Sequence, residues 1–303
     1  MPVDRHSARE PIAASACRAI GLAALLLALA VVPDAVAQQR PAPAPLPGGQ
    51  RPSPNAFGTV IELSPRPGVS LRAAAFAPDQ SPRGAAILFV GGPGKMTIPD
   101  RPAPGWQTQE TSNFLARTRE LFRKAGLFVA VVDAPSDQSQ GLINGFRLGA
   151  AHATDIAALI GEVRRRAPDV PVWLVGTSRG SISAAAVAAR LAERGGPDGI
   201  VLTSSVTRPG GGTMRDTVLD AELPAVRVPA LVVYHRADGC ELSPALDAGS
   251  LLGKLSKAPR KEILLLDGGS PPRSPPCEPA APHGFLGIEE QAVGAIVDWM
   301  FKG

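Results

Sequence analysis

Residues 176–180 read Gly176-Thr177-Ser178-Arg179-Gly180, and the position of this pentapeptide narrows the fold more than any other feature of the chain. It directly follows an apolar run, 170–175 (VPVWLV), and directly precedes a small-residue helical pattern, 181–194 (SISAAAVAARLAER). A strand, a tight turn and a helix in immediate succession require the backbone to reverse within a residue or two. Glycines on either side let strand and helix approach that closely, and the serine between them is pushed clear of its neighbours. The pattern alone is weak, because a glycine-rich chain can produce it by chance; its context carries the inference.

Seven further runs rich in β-branched or apolar residues read as strands: 58–63, 69–76, 85–90, 128–133, 199–203, 230–234 and 262–266. Helical patterns fall at 112–125, 152–166 and 288–301 as well as 181–194. The first two strands are joined only by Ser64-Pro65-Arg66-Pro67-Gly68, short enough for antiparallel pairing. Strands separated by helices predict parallel βαβ units buried on both faces. The expected architecture is therefore α/β, a mostly parallel eight-stranded sheet flanked by helices, with its chemistry at the carboxyl ends of the strands. A content of 45% hydrophobic and 19% charged residues is globular and excludes wholesale disorder. Lys plus Arg (31) against Asp plus Glu (27) leaves +4, and the one basic run, Arg164-Arg165-Arg166, reads as a solvated helix end. No nucleic-acid partner is expected.

The amino terminus reads as an address. Arg5, Arg9 and Arg18 precede an uncharged apolar stretch, 19–32, and Ala35-Val36-Ala37 supplies small residues for cleavage before Gln38. Residues 1–37 are thus expected to be a secretory signal peptide. The apolar stretch is shorter than the roughly 20 residues of a membrane span, so no stable span is expected after cleavage; an uncleaved anchor is the alternative. The Pro-rich segment 38–55 reads as a disordered tether, leaving 56–303 as a single domain exported to the periplasm or secreted. After cleavage only Cys240 and Cys277 remain, and an even count in an exported chain points to a disulfide, with two free buried thiols as the alternative.

An isolated serine hydroxyl is a poor nucleophile and needs a histidine to take its proton, itself oriented by an acid. His6 leaves with the signal, His152 reads as a packing or capping residue, and His235 stands three residues before an acid. His283, in the Gly/Pro-rich loop PPCEPAAPHGF ahead of the last helix, is the expected base for Ser178. Asp238, in HRADGC after the strand 230–234, is the expected acid, with Asp267 as runner-up. A developing oxyanion needs backbone donors. The N–H of Arg179 is one; Gly92 in Val90-Gly91-Gly92-Pro93-Gly94 is the preferred second, with Gly91 the alternative. The segments 95–109 and 134–149 are expected to border the pocket; Trp106, Met96 and Phe146 are candidates to line an acyl site, with plain core or loop packing the commoner role for such residues.

With GTSRG, HRADGC and PHGF in this order, the chain resembles the α/β-hydrolases over about residues 59–300. Its GGPG stretch resembles the HGGPG loop of prolyl-iminopeptidase-like members, but Val90 stands where their histidine would be. Only 22 residues lie between Ser205 and Val228, too few for the cap domain of such peptidases, so the chain looks more like a cap-less exported esterase. The resemblance implies an α/β-hydrolase fold without a separate cap domain and a serine acyl-enzyme mechanism. It also implies a small-molecule ester-type substrate and no metal or cofactor. A peptidase, thioesterase or acyltransferase with the same triad remains open, as does a non-catalytic exported binding protein of the same fold. Nothing in the sequence sets an oligomeric state.

Overall fold

The computed structural model describes residues 58–102 and 112–302, so the signal, the tether and Trp106 lie outside the described residues. Eight strands form one sheet: β1 (Thr59–Arg66), β2 (Val69–Phe76), β3 (Gly84–Phe89), β4 (Leu127–Val132), β5 (Val172–Thr177), β6 (Gly199–Thr203), β7 (Ala230–His235) and β8 (Lys261–Leu266). Their order is β1-β2-β4-β3-β5-β6-β7-β8. β2 runs antiparallel to β1 and β4, and every other pairing is parallel. All eight expected strands are present.

Each of the five parallel strands from β3 to β7 is buried along its whole length. That explains why their sequences are continuous apolar runs rather than alternating ones. Successive residues nevertheless face opposite layers. Ile200, Leu202 and Val232 pack with α4 (Ala150–Arg166), α5 (Gly180–Arg190) and α6 (Ala248–Lys254). Val201, Leu231 and Val233 pack with α1 (Phe114–Arg117), α2 (Arg119–Lys124) and α7 (Glu289–Phe301) on the other face.

The helices depart from expectation in three places. The single helix predicted over 112–125 is broken between α1 and α2 at Thr118, whose hydroxyl turns back onto the Phe114 carbonyl at 2.7 Å and competes with the helical ladder. α5 ends at Arg190, four residues early, in a turn that reaches Gly195 at φ 68°. α3 (Asn144–Leu148) and α6 were not expected; at five and seven residues they are too short to show a helical period in the sequence. As expected, the arginine run closes α4: Arg165 and Arg166 pair with Glu162, while Arg164 reaches the carbonyls of Gly195 and Gly196.

Between β6 and β7, residues 204–229 hold only three 3-10 turns, which leaves the carboxyl edge of the sheet without a separate cap domain. The order of strands reverses at β3, between β4 and β5, so the loops leaving β3 and β5 diverge there and open a crevice. Phe89 at the end of β3 pairs with Gly176 of β5, setting the glycine turn that follows β3 beside the turn that carries Ser178.

Candidate active site

Ser178 occupies the turn between β5 and α5 with φ 52°, a left-handed conformation that a non-glycine residue adopts only when its surroundings hold it there. Those surroundings are visible. The Ser178 N–H donates to the Thr203 carbonyl at 2.9 Å, and its own carbonyl accepts from the Ser181 N–H at 3.0 Å and hydroxyl at 2.6 Å. Gly180 lets α5 start against the end of β3: a Cβ there would overlap the Phe89 carbonyl oxygen and come within 2.8 Å of that of Val90.

His283 lies in a short 3-10 turn, Pro282–Gly284, between β8 and α7. Its Nδ1 is 2.9 Å from Asp238 Oδ2, with the imidazole 5% and the carboxylate 0% exposed. A carboxylate only accepts, so Nδ1 carries the proton. Asp238 is held in turn by the Cys240 N–H, which donates to Oδ1 at 2.9 Å. His283 Nε2, left as an acceptor, has no hydrogen-bond partner within the protein. Ser178 and His283 line one cavity of about 530 Å³, together with Val90, Gly91, Gly92 and Arg179.

Two serines that the sequence did not single out complete this arrangement. Ser243, fully buried, places its hydroxyl 3.0 Å from His283 Nδ1 and donates to Asp238 Oδ2 at 3.3 Å. Ser204, at the end of β6, donates its hydroxyl to the His283 carbonyl at 2.8 Å and fixes the backbone of the histidine. Neither follows a motif; both are recognisable only once the ends of β6 and β7 are brought together.

The other candidates fall elsewhere. Asp267 pairs on the surface with Arg236, both about three-fifths exposed. His235 is buried, accepting from the Ala237 N–H on Nδ1 at 3.0 Å and meeting the Gly268 carbonyl through Nε2 at 3.0 Å. His152 is enclosed in α4 against the rings of Phe89 and Phe146; burial and the charges of Arg147 and Arg66 push it down to about 3, so it is neutral.

Of the candidate acyl-site residues, Met96 and Phe146 take the packing role. Met96 is fully buried in the core and does not line the cavity, because the Asp133 carboxylate at the end of β4 accepts the N–H groups of Met96 and Ile98 and turns that loop inward. Phe146 packs on His152 and under the guanidinium of Arg66. Neither 95–102 nor 134–149 lines the cavity; its apolar walls include Phe114, Val206, Met214, Leu242 and Pro279. The Cys240–Cys277 disulfide, with Cα atoms 4.5 Å apart, forms part of the same wall and ties the loop carrying Asp238 to the loop leading to His283.

No protein-family model and no curated protein sequence matches the chain. Solved structures match in fold. A dienelactone hydrolase from Anabaena variabilis superposes with a TM-score of 0.53 at 14% identity, over 80% of this chain and 96% of that one. A serine hydrolase without a lid from Xanthomonas campestris gives 0.52 at 16% identity, over 80% and 92%. The chain has the α/β-hydrolase fold. Another structure of that fold, Est1E from Butyrivibrio proteoclasticus, gives 0.53 at 13% identity over 80% of this chain and 97% of that one. Ser178 sits in the turn after β5, Asp238 in the loop after β7 and His283 in the loop after β8.

Proposed function

We propose that this protein is an exported serine hydrolase that cleaves small to medium carboxylic esters through an acyl-enzyme on Ser178. One observation carries the reading: a buried histidine, whose Nδ1–H is held by a buried carboxylate and whose Nε2 has no hydrogen-bond partner among the described residues, lines the same cavity as a serine fixed at φ 52°. His283 Nε2 takes the Ser178 proton as Oγ attacks the ester carbonyl, and Asp238 holds the ring in the tautomer that leaves Nε2 free to accept. The N–H groups of Arg179 and Gly92 receive the negative charge that develops on the carbonyl oxygen. His283 then returns the proton to the departing alcohol. In the second half a water gives a proton to His283 as it attacks the acyl carbonyl, and His283 passes that proton to Ser178 Oγ as the acyl–oxygen bond breaks and the acid leaves.

The open carboxyl edge and the mostly apolar walls suit an acyl or alcohol group of modest size rather than a folded protein. Export through residues 1–37 to the periplasm or beyond agrees with a disulfide, which persists in oxidising compartments. The test is labelling with a fluorophosphonate probe followed by mass spectrometry of the modified peptide. An adduct on Ser178, lost in Ser178→Ala together with hydrolysis of p-nitrophenyl esters, is the expected result. Ester hydrolysis at the normal rate by folded Ser178→Ala, or an adduct on another serine, overturns it.

A further inference from the structure

Behind the glycine turn lies a charge that this acyl-transfer scheme does not use. Arg147, in α3, is 1% exposed and among the largest fully enclosed side chains of the protein. Its Nη1 donates to Ser183 Oγ on α5 at 2.9 Å, its Nη2 donates to the Gly92 carbonyl at 3.1 Å, and its Nε has no partner. Among the described residues no carboxylate pairs with it; the charge that acts on it is the like charge of Arg179. An enclosed cation without a counter-charge is costly to keep. Packing alone calls for no charge at the end of this side chain.

What the guanidinium touches explains why it is there. In the turn 91–94 the Gly94 N–H donates to the Gly91 carbonyl at 3.1 Å. A peptide group is planar with its N–H and C=O opposed, so fixing the Gly91 oxygen aims the Gly92 N–H the other way. The next peptide plane, between Gly92 and Pro93, is the one whose oxygen Arg147 holds. Gly92 sits at φ 57° and has no side chain to resist rotation of either plane. The turn's own bond from Gly94 holds the first plane, and Arg147 is what holds the second, beside the cavity that Gly92 lines.

We infer that Arg147 is a positioning residue for the oxyanion turn: by holding the Gly92 carbonyl it fixes the turn in the form that directs the Gly92 N–H to the cavity, and it places an unneutralised positive charge behind that turn. The charge is enclosed, so solvent screens it little, and it acts on the negative charge of the tetrahedral intermediate more than on a neutral ester. The inference rests on the hydrolase reading of the same cavity. Its signature is a loss confined to the transition state.

The experiment compares wild type with Arg147→Met, which keeps an unbranched stem but removes donors and charge, and with Arg147→Lys, which keeps charge but cannot hold both partners. Three quantities are read for each: kcat and KM on p-nitrophenyl acetate, and the inhibition constant of phenylboronic acid, whose serine adduct is tetrahedral and anionic. Arg147→Met is expected to lower kcat by about 10² to 10³-fold and to weaken the boronic acid in step, with KM changed less than about threefold. Arg147→Lys should recover at least tenfold of that loss. A folded Arg147→Met with kcat and boronic acid affinity within threefold of wild type overturns the inference, as does a loss that falls on KM alone. If Arg147→Met does not fold, Arg147→Lys decides: wild-type kcat in that variant refutes the locking role. Wild type that fails to label at Ser178 removes the hydrolase reading and this inference with it. Normal labelling with an indifferent Arg147 removes only the inference.

Discussion

Breaking the Cys240–Cys277 bond is a perturbation whose cost can be worked from the chain itself. The bond closes a separation of 37 residues. The chain-entropy relation, about 2.1 + 1.5R ln n cal/mol/K, then gives about 13 cal/mol/K, or about 4 kcal/mol at 25 °C. Against a typical folding free energy of about 5 to 15 kcal/mol this is a large share. For a domain of this size it corresponds to a fall of roughly 8 to 16 °C in Tm. The bond is open to reagent without unfolding, because Cys277 is exposed while Cys240 is buried. The assay is urea unfolding of oxidised protein, of protein reduced under native conditions, and of the Cys240→Ala/Cys277→Ala double variant. Reduced protein and double variant should agree with each other and lie about 4 kcal/mol below the oxidised form. Activity should fall at temperatures well below the melt, since the Cys240 N–H holds Asp238 and the second cysteine begins the approach to His283. A difference under about 1 kcal/mol, with an unchanged denaturant slope, would refute the reasoning by showing that the loop is already confined in the unfolded chain.

Asp238→Asn should lower kcat/KM by about 10⁴-fold by inverting the donor pattern facing His283 Nδ1, whereas Asp267→Asn should leave it within twofold; esterase kinetics on both variants rank the two acids. Ser243→Ala removes one hydroxyl from the Asp238–His283 pair and should cost about fivefold in kcat, the equivalent of about 1 kcal/mol, while Ser243→Thr keeps most of the rate. His152 is held neutral in the fold to about 3 but takes a proton in the unfolded chain below about 6.5. Stability is therefore lost as pH falls between those values, by up to about 1.4 kcal/mol per pH unit. His152→Phe should flatten that acid limb by one proton in pH-dependent urea melts, and an unchanged slope would show that His152 opens to solvent. Gly180→Ala forces a methyl onto the Phe89 and Val90 carbonyls and should destabilise the fold by more than about 2 kcal/mol in thermal melts, whereas alanine at Gly249, where nothing stands within 4 Å, should be tolerated.

How much was legible follows from which contacts are local. The strands could be read because each is a continuous apolar run, and a strand buried on both faces needs nothing more from its sequence. Ser178 could be read because strand, turn and helix are contiguous around it. Asp238 could be read because it follows a strand, although Asp267 satisfies the same description; only the position of the His283 loop separates them, the one carboxylate being enclosed against the ring and the other engaged by Arg236 in solvent. Met96 and Phe146 left two readings open because a large apolar residue just past a strand can turn either into the core or into a cleft. The Asp133 carboxylate, which draws Met96 inward, lies 37 residues away in sequence. Ser204, Ser243 and Arg147 left no trace in spacing or composition, since each acts through a partner that only the folded sheet supplies.

The sheet order explains why the assembly needs those partners. β6 lies between β5 and β7 and so separates the turn of Ser178 from the loop of Asp238 by one strand. A histidine that is to join them must enter from beyond β8, and His283 does so, its backbone held by Ser204 at the end of β6. Bonds at that end hold it there. The Ser178 N–H donates to Thr203 at 2.9 Å, the Ser204 N–H donates to Val233 at 2.9 Å, and the Ser204 hydroxyl donates to the His283 carbonyl at 2.8 Å. β6 contributes no charged group, yet Thr203 at its end and Ser204 just beyond it link the turn of Ser178, strand β7 and the backbone of His283. A hydroxyl at 204 is therefore expected to set the rate through position alone: Ser204→Ala should lower kcat with little change in KM or in the pH dependence of the reaction. A shifted pH profile in that variant would mean that the serine acts on the charge of the imidazole and not on its place.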